Sequence, residues 1–458
     1  MCGSEAFEAC ASTGRKEFIM LKNEEKYTAA LRSVLKKTDY AFFLRQLNGL
    51  SDFHDVWHDF DIAKSGIEQT AGEFKELIEL LYLGIPQKKS DVAREAGEEE
   101  LNLLLESGLW LRDGENIITD NYVIVVYQQL YVVVDIPPSM PTCTRKMTDV
   151  YIGSDSLRLG ENVAFSKGTT VLDLCSGSGV QGLLAAKSAD KVVCAEINER
   201  AVPVIRFNAS LNGFSNIIDV RCGDLYDVLA ENEKFDFIYA NPPFLPVPDG
   251  FSYPVCGAVS EDDQKILRRI ADGLFDRLTD RGEAIIYCEA FGDEESVFFD
   301  EYLMETCRKA GQEACREASR ETCREASQET CRKDAEAKAN AMQVTECRYN
   351  RIETALQTES MLRMSKLFDS NLDEAAFISG MNRIYEKAGA VYLYSLIYHI
   401  RPAYSAKSDI YIIDHCQKAE SSPPGGRTDN AASYAEEIEM IESEIKLLEG
   451  ILRKMKDA

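Results

Sequence analysis

The spacing of apolar residues divides the chain into two regions that meet near residue 148. In the first region apolar residues recur every three or four positions, as in AGEFKELIELLYLGI from Ala71 to Ile85, which predicts helices. Asp113-Gly114 then supplies a tight turn between two short strands, and the stretch from Tyr122 to Val134 reads as two further strands. Helices followed by a hairpin predict a helical, winged-helix-like domain over residues 20–147.

Beyond residue 148 short apolar strands alternate with helices. The strand segments read TTVLDLC, KVVCAEI, IIDVRCGD, FDFIYANPPF, GEAIIYCEA, VYLYSLIYHI and DIYIIDH. Apolar strands joined by helical crossovers are typical of a parallel sheet that is buried on both faces. We therefore expect an α/β, Rossmann-like domain over residues 148–416, built on a seven-stranded and mostly parallel sheet. Its last two strands follow each other closely, which predicts a final antiparallel strand in a hairpin.

An eight-residue repeat interrupts the second domain and carries four of the 14 cysteines, namely Cys307, Cys315, Cys323 and Cys331. Eight residues overshoot two helical turns by roughly 80°, so the thiols spiral around a helix and form no stripe for a partner or a metal. We expect a solvated insertion over about residues 305–365, grown by repeat expansion.

The chain ends in a predicted linker, residues 417–430, and a predicted helix, residues 431–458. The apolar residues of this helix alternate at spacings of four and three, which is the pattern of a coiled coil. The pattern fits self-association through a short coiled coil and equally a helix that folds back on its own core. The sequence leaves both interpretations open.

The charge balance narrows the range of partners. A net charge of -26 and a pI near 4.7 argue against binding of extended duplex DNA, because phosphate contacts draw on clusters of Lys and Arg. No apolar run approaches the roughly 20 residues that span a bilayer. The cysteines do not follow the spacing of a secreted disulfide scaffold. We expect a cytoplasmic protein with reduced thiols and no membrane association.

One histidine pair has a spacing found in metal sites. His54 and His58, in HDVWHDFD, share a face if the segment is helical. No glutamate stands between them in the metalloprotease pattern, and a helix surface explains them equally well. We therefore expect no metal.

Three successive strands of the second domain end in residues suited to a nucleotide. VLDLCSGSGVQG, from Val171 to Gly182, reads as a strand, a glycine-rich turn and a helix start, which bring backbone amides close to a ligand. About 20 residues later the next strand ends in Glu196, where a carboxylate can accept two ribose hydroxyls. The third strand ends at Asp224 and Leu225, where an adenine can lie. This spacing fits NAD as well as S-adenosylmethionine.

The motif Asn241-Pro242-Pro243-Phe244 separates the two cofactors. Proline has no N–H and holds the preceding residue extended, so the strand stops at Asn241. The side-chain oxygen of Asn241 and the carbonyl of Pro242 can accept both hydrogens of one planar NH2 group, and Phe244 can stack on its plane. Two acceptors stabilise the nitrogen as it becomes tetrahedral and aim its lone pair at a sulfonium methyl. The motif therefore favours S-adenosylmethionine.

In this order DLCSGSG, Glu196, GDL and NPPF resemble the motifs of class I S-adenosylmethionine-dependent methyltransferases of the HemK-like kind, the release-factor glutamine methyltransferases. The resemblance covers about residues 149–415 apart from the insertion. It implies that the target amine is gripped by Asn241, Pro242, Pro243 and Phe244. It implies that S-adenosyl-L-methionine is held by Asp173, Cys175, Ser176, Gly177, Ser178, Gly179, Glu196, Asp224, Leu225 and Asn241. YIGSDSLRL, with Asp155 and Ser156, resembles the segment that closes over the cofactor in these enzymes.

The combined prediction is a methyltransferase that acts on a planar amino or amide nitrogen. Its expected substrate is a glutamine side chain of a protein such as a release factor, or an adenine of structured RNA, and the acidic charge favours the protein. A small-molecule methyltransferase is an alternative within enzymes. A catalytically silent, methyltransferase-like subunit that acts as a binding module is the alternative from another class.

Overall fold

The computed structural model describes residues 21–47, 60–144, 149–164, 166–251, 253–254, 257–259, 264–322, 342–402 and 409–414. The pair His54 and His58, the repeat beyond Thr322 and the predicted helix at 431–458 lie outside the described residues. Within the described ranges no helix combines the length and the apolar content needed to cross a bilayer.

In the described residues before 120, helices are combined with a small antiparallel sheet. The helices are α1 (Glu25–Lys37), α2 (Tyr40–Leu47), α3 (Phe60–Thr70), α4 (Lys75–Ile78), α5 (Lys89–Ala96) and α6 (Glu98–Ser107). The strands are β1 (Gln87–Lys88), β2 (Trp110–Asp113) and β3 (Asn116–Thr119), in the order β1-β3-β2. Gly114 takes a φ of +59° in the turn that closes β2 on β3, a conformation that suits glycine. The predicted hairpin is confirmed, and the winged-helix likeness of the domain stays a prediction.

A second hairpin, β4 (Tyr122–Tyr127) and β5 (Leu130–Asp135), confirms the two strands expected in this stretch. Nearly every residue of both strands is buried, because each side of the hairpin is covered. The hydroxyl of Tyr40 donates a 2.8 Å hydrogen bond to a β4 carbonyl. The side-chain amide of Asn208 bonds both backbone groups of Val133, at 2.8 and 3.1 Å. The hairpin thus contacts both the helical region before it and the α/β region after it.

The described residues from 149 onward are organised around an eight-stranded sheet in the order β15-β13-β14-β12-β9-β6-β7-β8. The strands are β6 (Thr170–Leu174), β7 (Lys191–Glu196), β8 (Ile218–Cys222), β9 (Phe235–Ala240), β10 (Leu245–Pro246), β11 (Ala258–Val259), β12 (Leu278–Gly292), β13 (Met342–Glu353), β14 (Tyr392–Pro402) and β15 (Asp409–Asp414), of which β10 and β11 form a separate short pair. The helices are α7 (Ser154–Gly160), α8 (Val180–Ala185), α9 (Ala201–Leu211), α10 (Lys265–Arg277), α11 (Phe299–Thr322), α12 (Thr354–Phe368) and α13 (Glu374–Ala388). The five strands from β12 to β8 are parallel, as the apolar runs predict.

The sheet corrects two expectations. It has eight strands where seven were expected, and β15 pairs in parallel with β13, so the predicted final hairpin of β14 and β15 is wrong. Strand β13 and most of helix α12 lie within residues 305–365, which were expected to be an insertion. The strand was missed because it carries charges, and these are buried as a pair: Arg348 Nε donates a 2.5 Å hydrogen bond to Glu346 Oε1. Only tertiary pairing makes such a segment a central strand.

The parallel strands bring their carboxyl ends to one edge of the sheet. Leu174 of β6 is in register with Ala195 of β7 and with Ala240 of β9, so the residues that follow these three strands are neighbours. Helices α12 and α13 cover the segment that follows β9, where the rings of Phe251 and Phe377 meet edge to face at 5.1 Å. This edge therefore lies between a glycine-rich turn on one side and a helical wall on the other.

Candidate active site

A cavity of about 230 Å³ opens at the carboxyl ends of β6, β7, β8 and β9. Most of the residues predicted to bind cofactor line it, namely Cys175, Ser176, Gly177, Ser178, Glu196, Asp224, Leu225 and Asn241, together with Pro243. Asp173, Gly179, Pro242 and Phe244 do not line this cavity. The fold thus brings residues from four strand ends together at one cavity.

The glycine-rich turn bends so that its backbone faces the cavity. Cys175, Gly177 and Gly179 have φ values of +56°, +54° and +77°. A Cβ on Gly179 would lie 2.8 Å from the side chain of Ile205, so the turn packs closely against α9. A Cβ on Gly177 would meet no atom nearer than 4.0 Å, because it would project into open space. The turn therefore offers backbone, and little side chain, to a ligand.

Buried side chains hold this turn in place. Ser176 Oγ donates a 2.8 Å hydrogen bond to the carbonyl of Asp173, and Asn208 Nδ2 donates a 3.0 Å hydrogen bond to the carbonyl of Ser178. Asn208 is fully buried and also bonds β5, so one side chain braces both segments. The turn is thus fixed before any ligand binds.

Asp173 points away from the cavity. Its side chain is buried, and Oδ2 accepts a 3.0 Å hydrogen bond from the backbone N–H of Gly182 in the first turns of α8. Burial raises the pKa of this carboxyl to about 7. Its geometry is that of an anchor between β6 and α8, so any effect on a cofactor would pass through the turn that it supports.

Glu196 lines the cavity with its carboxylate already oriented. Oε2 accepts a 2.7 Å hydrogen bond from Gly177 N–H, and Oε1 accepts a 2.8 Å hydrogen bond from Asn198 N–H. Each carboxylate oxygen has further lone pairs, so both can still accept hydroxyl donors. Burial raises the pKa of Glu196, and the two amides oppose that shift by stabilising the charge.

The other end of the cavity combines apolar and polar groups. Leu225, with a φ of +46°, and Ile266 provide apolar surface there. Asp224 accepts a 2.9 Å hydrogen bond from Arg269 Nη2. An apolar slot beside a carboxylate suits a flat heterocycle with an amino group.

Asn241 has its side-chain amide held in one orientation. Nδ2 donates a 2.7 Å hydrogen bond to Asp155 Oδ2 and lies 3.5 Å from Ser156 Oγ. The other end of the amide, Oδ1, is buried and has no hydrogen-bond partner within the described residues. Burial raises the pKa of Asp155, and the hydrogen bond from Asn241 opposes that rise. A buried acceptor without a donor is costly, which marks Oδ1 as the place for a donor from a ligand.

The two prolines and Phe244 lie differently from one another. Pro242 is buried, whereas Pro243 faces the cavity. The ring of Phe244 is tilted by 54° against that of Tyr287, with 5.7 Å between the ring centroids. Phe244 therefore forms an aromatic pair with Tyr287 of β12, and its stacking on an acceptor stays a prediction.

Sequence reasoning missed several residues near the cavity. Gln181 Nε2 donates a 2.9 Å hydrogen bond to the carbonyl of Ser156, and Arg200 joins Asp149 to Asp135 at the cavity's rim. No local pattern identifies these contacts. Glu289 could have been found, because a charged residue near the carboxyl end of the apolar strand GEAIIYCEA is unusual.

Comparison with known proteins agrees with this geometry. Residues 152–252 match the methyltransferase small domain. A release factor glutamine methyltransferase of Rhodopirellula baltica is 30% identical over 128 residues, which cover 26% of this chain and 43% of that protein. A putative protein N5-glutamine methyltransferase of Methanocaldococcus jannaschii is 35% identical over a match that covers 21% of this chain and 47% of that protein. A tRNA1(Val) (adenine(37)-N6)-methyltransferase of Proteus mirabilis is 29% identical over a match that covers 21% of this chain and 40% of that protein. The chain spans less than half the length of each of these relatives.

The sheet, the glycine-rich turn and these matches define a class I methyltransferase domain that depends on S-adenosylmethionine. These matches confirm the resemblance to HemK-like methyltransferases that the motifs predict, and the family model covers residues 152–252.

Proposed function

We propose that this protein transfers a methyl group from S-adenosylmethionine to a planar NH2 nitrogen, and that the nitrogen is the side-chain amide of a protein glutamine. The single observation that carries the proposal is the unpartnered, buried Oδ1 of Asn241 beside the cavity. A residue that only ended the strand would not need a buried oxygen without a partner. A residue that binds the NH2 group of a substrate does need a free acceptor oxygen.

The residues at the cavity fit the cofactor. Glu196 offers carboxylate oxygens to ribose hydroxyls, the backbone around Gly177 leaves room for the methionine part, and Leu225 with Ile266 forms an apolar slot for the adenine. Asp224 lies at the rim of that slot, where its carboxylate can accept a hydrogen bond from the amino group of the adenine. When bound, S-adenosylmethionine supplies an electrophilic methyl group on a sulfonium.

The chain's own residues then hold the acceptor. Asn241 Oδ1 accepts one hydrogen of the NH2 group, and the carbonyl of Pro242 accepts the other. Asp155 keeps the Asn241 amide from turning over, because it accepts from Nδ2. An amide nitrogen is a weak nucleophile because its lone pair is delocalised, so two acceptors that favour the tetrahedral nitrogen lower the barrier without a strong base.

The charge around Asn241 favours a protein over RNA. Asp155 contacts Asn241 directly, Glu289 lies on the neighbouring strand β12, and the whole chain carries a net charge of -26. Carboxylates repel phosphates and attract N–H donors. A release factor in the cytoplasm is therefore the favoured substrate, and the relatives include a release factor glutamine methyltransferase. An RNA adenine is the competing acceptor.

Methyl transfer from labelled cofactor tests the proposal. The purified full-length chain is incubated with S-adenosylmethionine labelled in its methyl group, in parallel with recombinant release factor of Rhodopirellula baltica and with total RNA. We expect label in the protein, and mass spectrometry should locate it on a glutamine. Label only in RNA would move the acceptor to a nucleobase. If the protein binds the cofactor but methylates neither protein nor RNA nor the small molecules of a cell extract, the result would support a catalytically silent subunit.

A further inference from the structure

Glu289 is a carboxylate near the cavity that the mechanism above does not use. It lies near the end of β12, and Ser395 Oγ of the neighbouring strand β14 donates a 3.1 Å hydrogen bond to its Oε1. In the described part of the chain Ser395 is its only hydrogen-bond donor, and no Lys, Arg or His pairs with it. A partly buried carboxylate with one neutral donor is unfavourable for the folded protein.

Glu346 of β13 is a carboxylate on the same sheet with the contacts expected of a structural role. It is fully buried, and Arg348 both neutralises it and donates a hydrogen bond to it. Burial raises the pKa of Glu289 to about 7, and the nearby charge of Asp155 adds to the rise. The structure provides a cation for Glu346 but not for Glu289. Glu289 therefore lacks the contacts that would stabilise it in the free protein.

Its position places it beside the proposed acceptor. Ala240 is in register with Ile286, so Asn241, the next residue, lies at the level of Tyr287 on β12. Side chains two residues apart on a strand share one face, which puts Glu289 on the same face as Tyr287 and one step further from the cofactor turn. Tyr287 already contacts Phe244 of the acceptor motif.

The next residue on that face, Phe291, contacts α13, one of the two helices that cover this edge of the sheet. Phe291 packs with Phe377 and Met381 of α13 in an apolar cluster. Glu289 thus lies between the acceptor grip at Asn241 and the wall formed by α12 and α13. A polypeptide that inserts a glutamine toward Asn241 would run its neighbouring backbone across this position.

We propose that Glu289 accepts a hydrogen bond from an N–H group of the substrate polypeptide next to the methylated glutamine, and so selects a peptide over a phosphate-bearing acceptor. The inference rests on the proposed function. Backbone amides and basic side chains supply the donors that Glu289 lacks, whereas phosphates would be repelled. Glu289 is thus a specificity-determining residue, and Asn241 remains the residue that touches the reacting nitrogen.

The test has a substrate arm that uses recombinant Rhodopirellula baltica release factor as the probe. Glu289→Gln should raise the KM for this protein by about tenfold, because a charge-assisted hydrogen bond is lost. The kcat should change by less than about threefold, and the affinity for S-adenosylmethionine should not change. Glu283→Gln is the matched control: it makes the same change on β12, beside His399, and should leave all three quantities as they are.

A second arm needs no substrate. Glu289→Gln should raise the melting temperature at pH 8 by about 2–4 °C, because it removes an unfavourable charge from the free protein. A lower melting temperature would show that Glu289 holds the fold through Ser395, and an unchanged KM for the release factor would show that it does not contact the substrate. Either result overturns the inference.

The two arms separate this inference from the proposed function. If the wild-type chain methylates only RNA, the proposed function fails, and Glu289 is judged on the KM for RNA. An unchanged or higher KM for RNA in Glu289→Gln then overturns the inference as well, because removing a carboxylate that repels phosphates should lower this KM. If nothing is methylated, only the melting temperature tests the inference, and a lower melting temperature of Glu289→Gln overturns it.

Discussion

The side-chain amide of Asn241 donates a 2.7 Å hydrogen bond to the carboxylate of Asp155, a residue 86 positions earlier in the chain. An amide has one donor end and one acceptor end, so a partner at the donor end decides where the acceptor end points. Because Asp155 can only accept, as a carboxylate, it leaves Oδ1 of Asn241 for another donor. The acceptor site is therefore set by a pair of residues from two distant segments.

Asn241→Ala should lower the rate of methyl transfer by roughly 100-fold or more, the scale found when one preorganised transition-state partner is lost. Affinity for S-adenosylmethionine should change much less, since the side chain faces the acceptor. Single-turnover transfer and calorimetry with the cofactor measure the two effects. Asn216→Ala, at an exposed position, is the control. A near wild-type rate in Asn241→Ala would leave this asparagine with no role beyond ending β9.

Asp155→Ala should lower kcat by roughly tenfold, because the freed amide of Asn241 can turn its Nδ2 toward the substrate, and a hydrogen bond to a charged group is lost. Asp155→Asn should recover most of the rate, because its side-chain oxygen can accept from the same Nδ2. A role of Asp155 in folding alone would instead lower the melting temperature of both variants equally. Steady-state kinetics and thermal unfolding of the two variants distinguish these outcomes.

Glu196→Ala should weaken the binding of S-adenosylmethionine by at least roughly tenfold, because charge-assisted hydrogen bonds to hydroxyls are lost. The control is Glu199→Ala, three residues further along and exposed, which should bind the cofactor normally. Isothermal titration with S-adenosylmethionine, and with NAD for comparison, measures both. Unchanged binding in Glu196→Ala would refute the position assigned to the ribose.

Replacing residues 308–338 by a short Gly–Ser linker should leave cofactor affinity and melting temperature nearly unchanged. Among the α11 residues whose burial is described, 299–310, the buried side chains are Phe299, Leu303 and Cys307, and these lie before the replaced segment. Long surface segments can be exchanged at little cost in free energy. By contrast, Leu303→Ala should destabilise the protein by about 2–5 kcal/mol through the cavity it leaves. Loss of folded protein on replacement would show that the repeat belongs to the core.

The stability of the folded protein should depend on pH through Glu289. Its pKa rises from the usual 4.5 to about 7 on folding, chiefly through burial and then through Asp155. The folded state therefore keeps a proton that the unfolded state loses, so the free energy of unfolding falls as pH rises from about 4.5 to about 7.

Glu289→Gln should remove this part of the fall. Its gain in stability over the wild type should be near zero at pH 4 and about 1 kcal/mol at pH 8, since screening by water reduces the effect of the full pKa shift. The facing groups Asp155, Tyr287, Ser395 and, behind Tyr287, Arg158 are retained in the variant. Urea unfolding at both pH values measures the difference. A gain that is equal at pH 4 and pH 8 would contradict the prediction.

Local sequence determined the parts of this protein whose geometry depends on neighbours in the chain. The Asp113-Gly114 turn folds as a hairpin because glycine accepts a positive φ there. The apolar runs of β6, β7 and β9 form adjacent parallel strands, so the residues after them had to meet at one edge. Glu196 and Asn241 could therefore be placed in one cavity before the fold was known.

Tertiary structure alone decided the features that depend on partners distant in the chain. Strand β13 could not be recognised, because its Glu346 and Arg348 are polar by sequence and become buried only as a pair. The direction of a side chain is equally non-local: Asp173 lies in the cofactor motif yet bonds α8, whereas Asp155 reaches Asn241 from another segment. The type of a residue determines which hydrogen bonds its side chain can make. Which partner lies within hydrogen-bond distance is determined only by the packing of the folded chain.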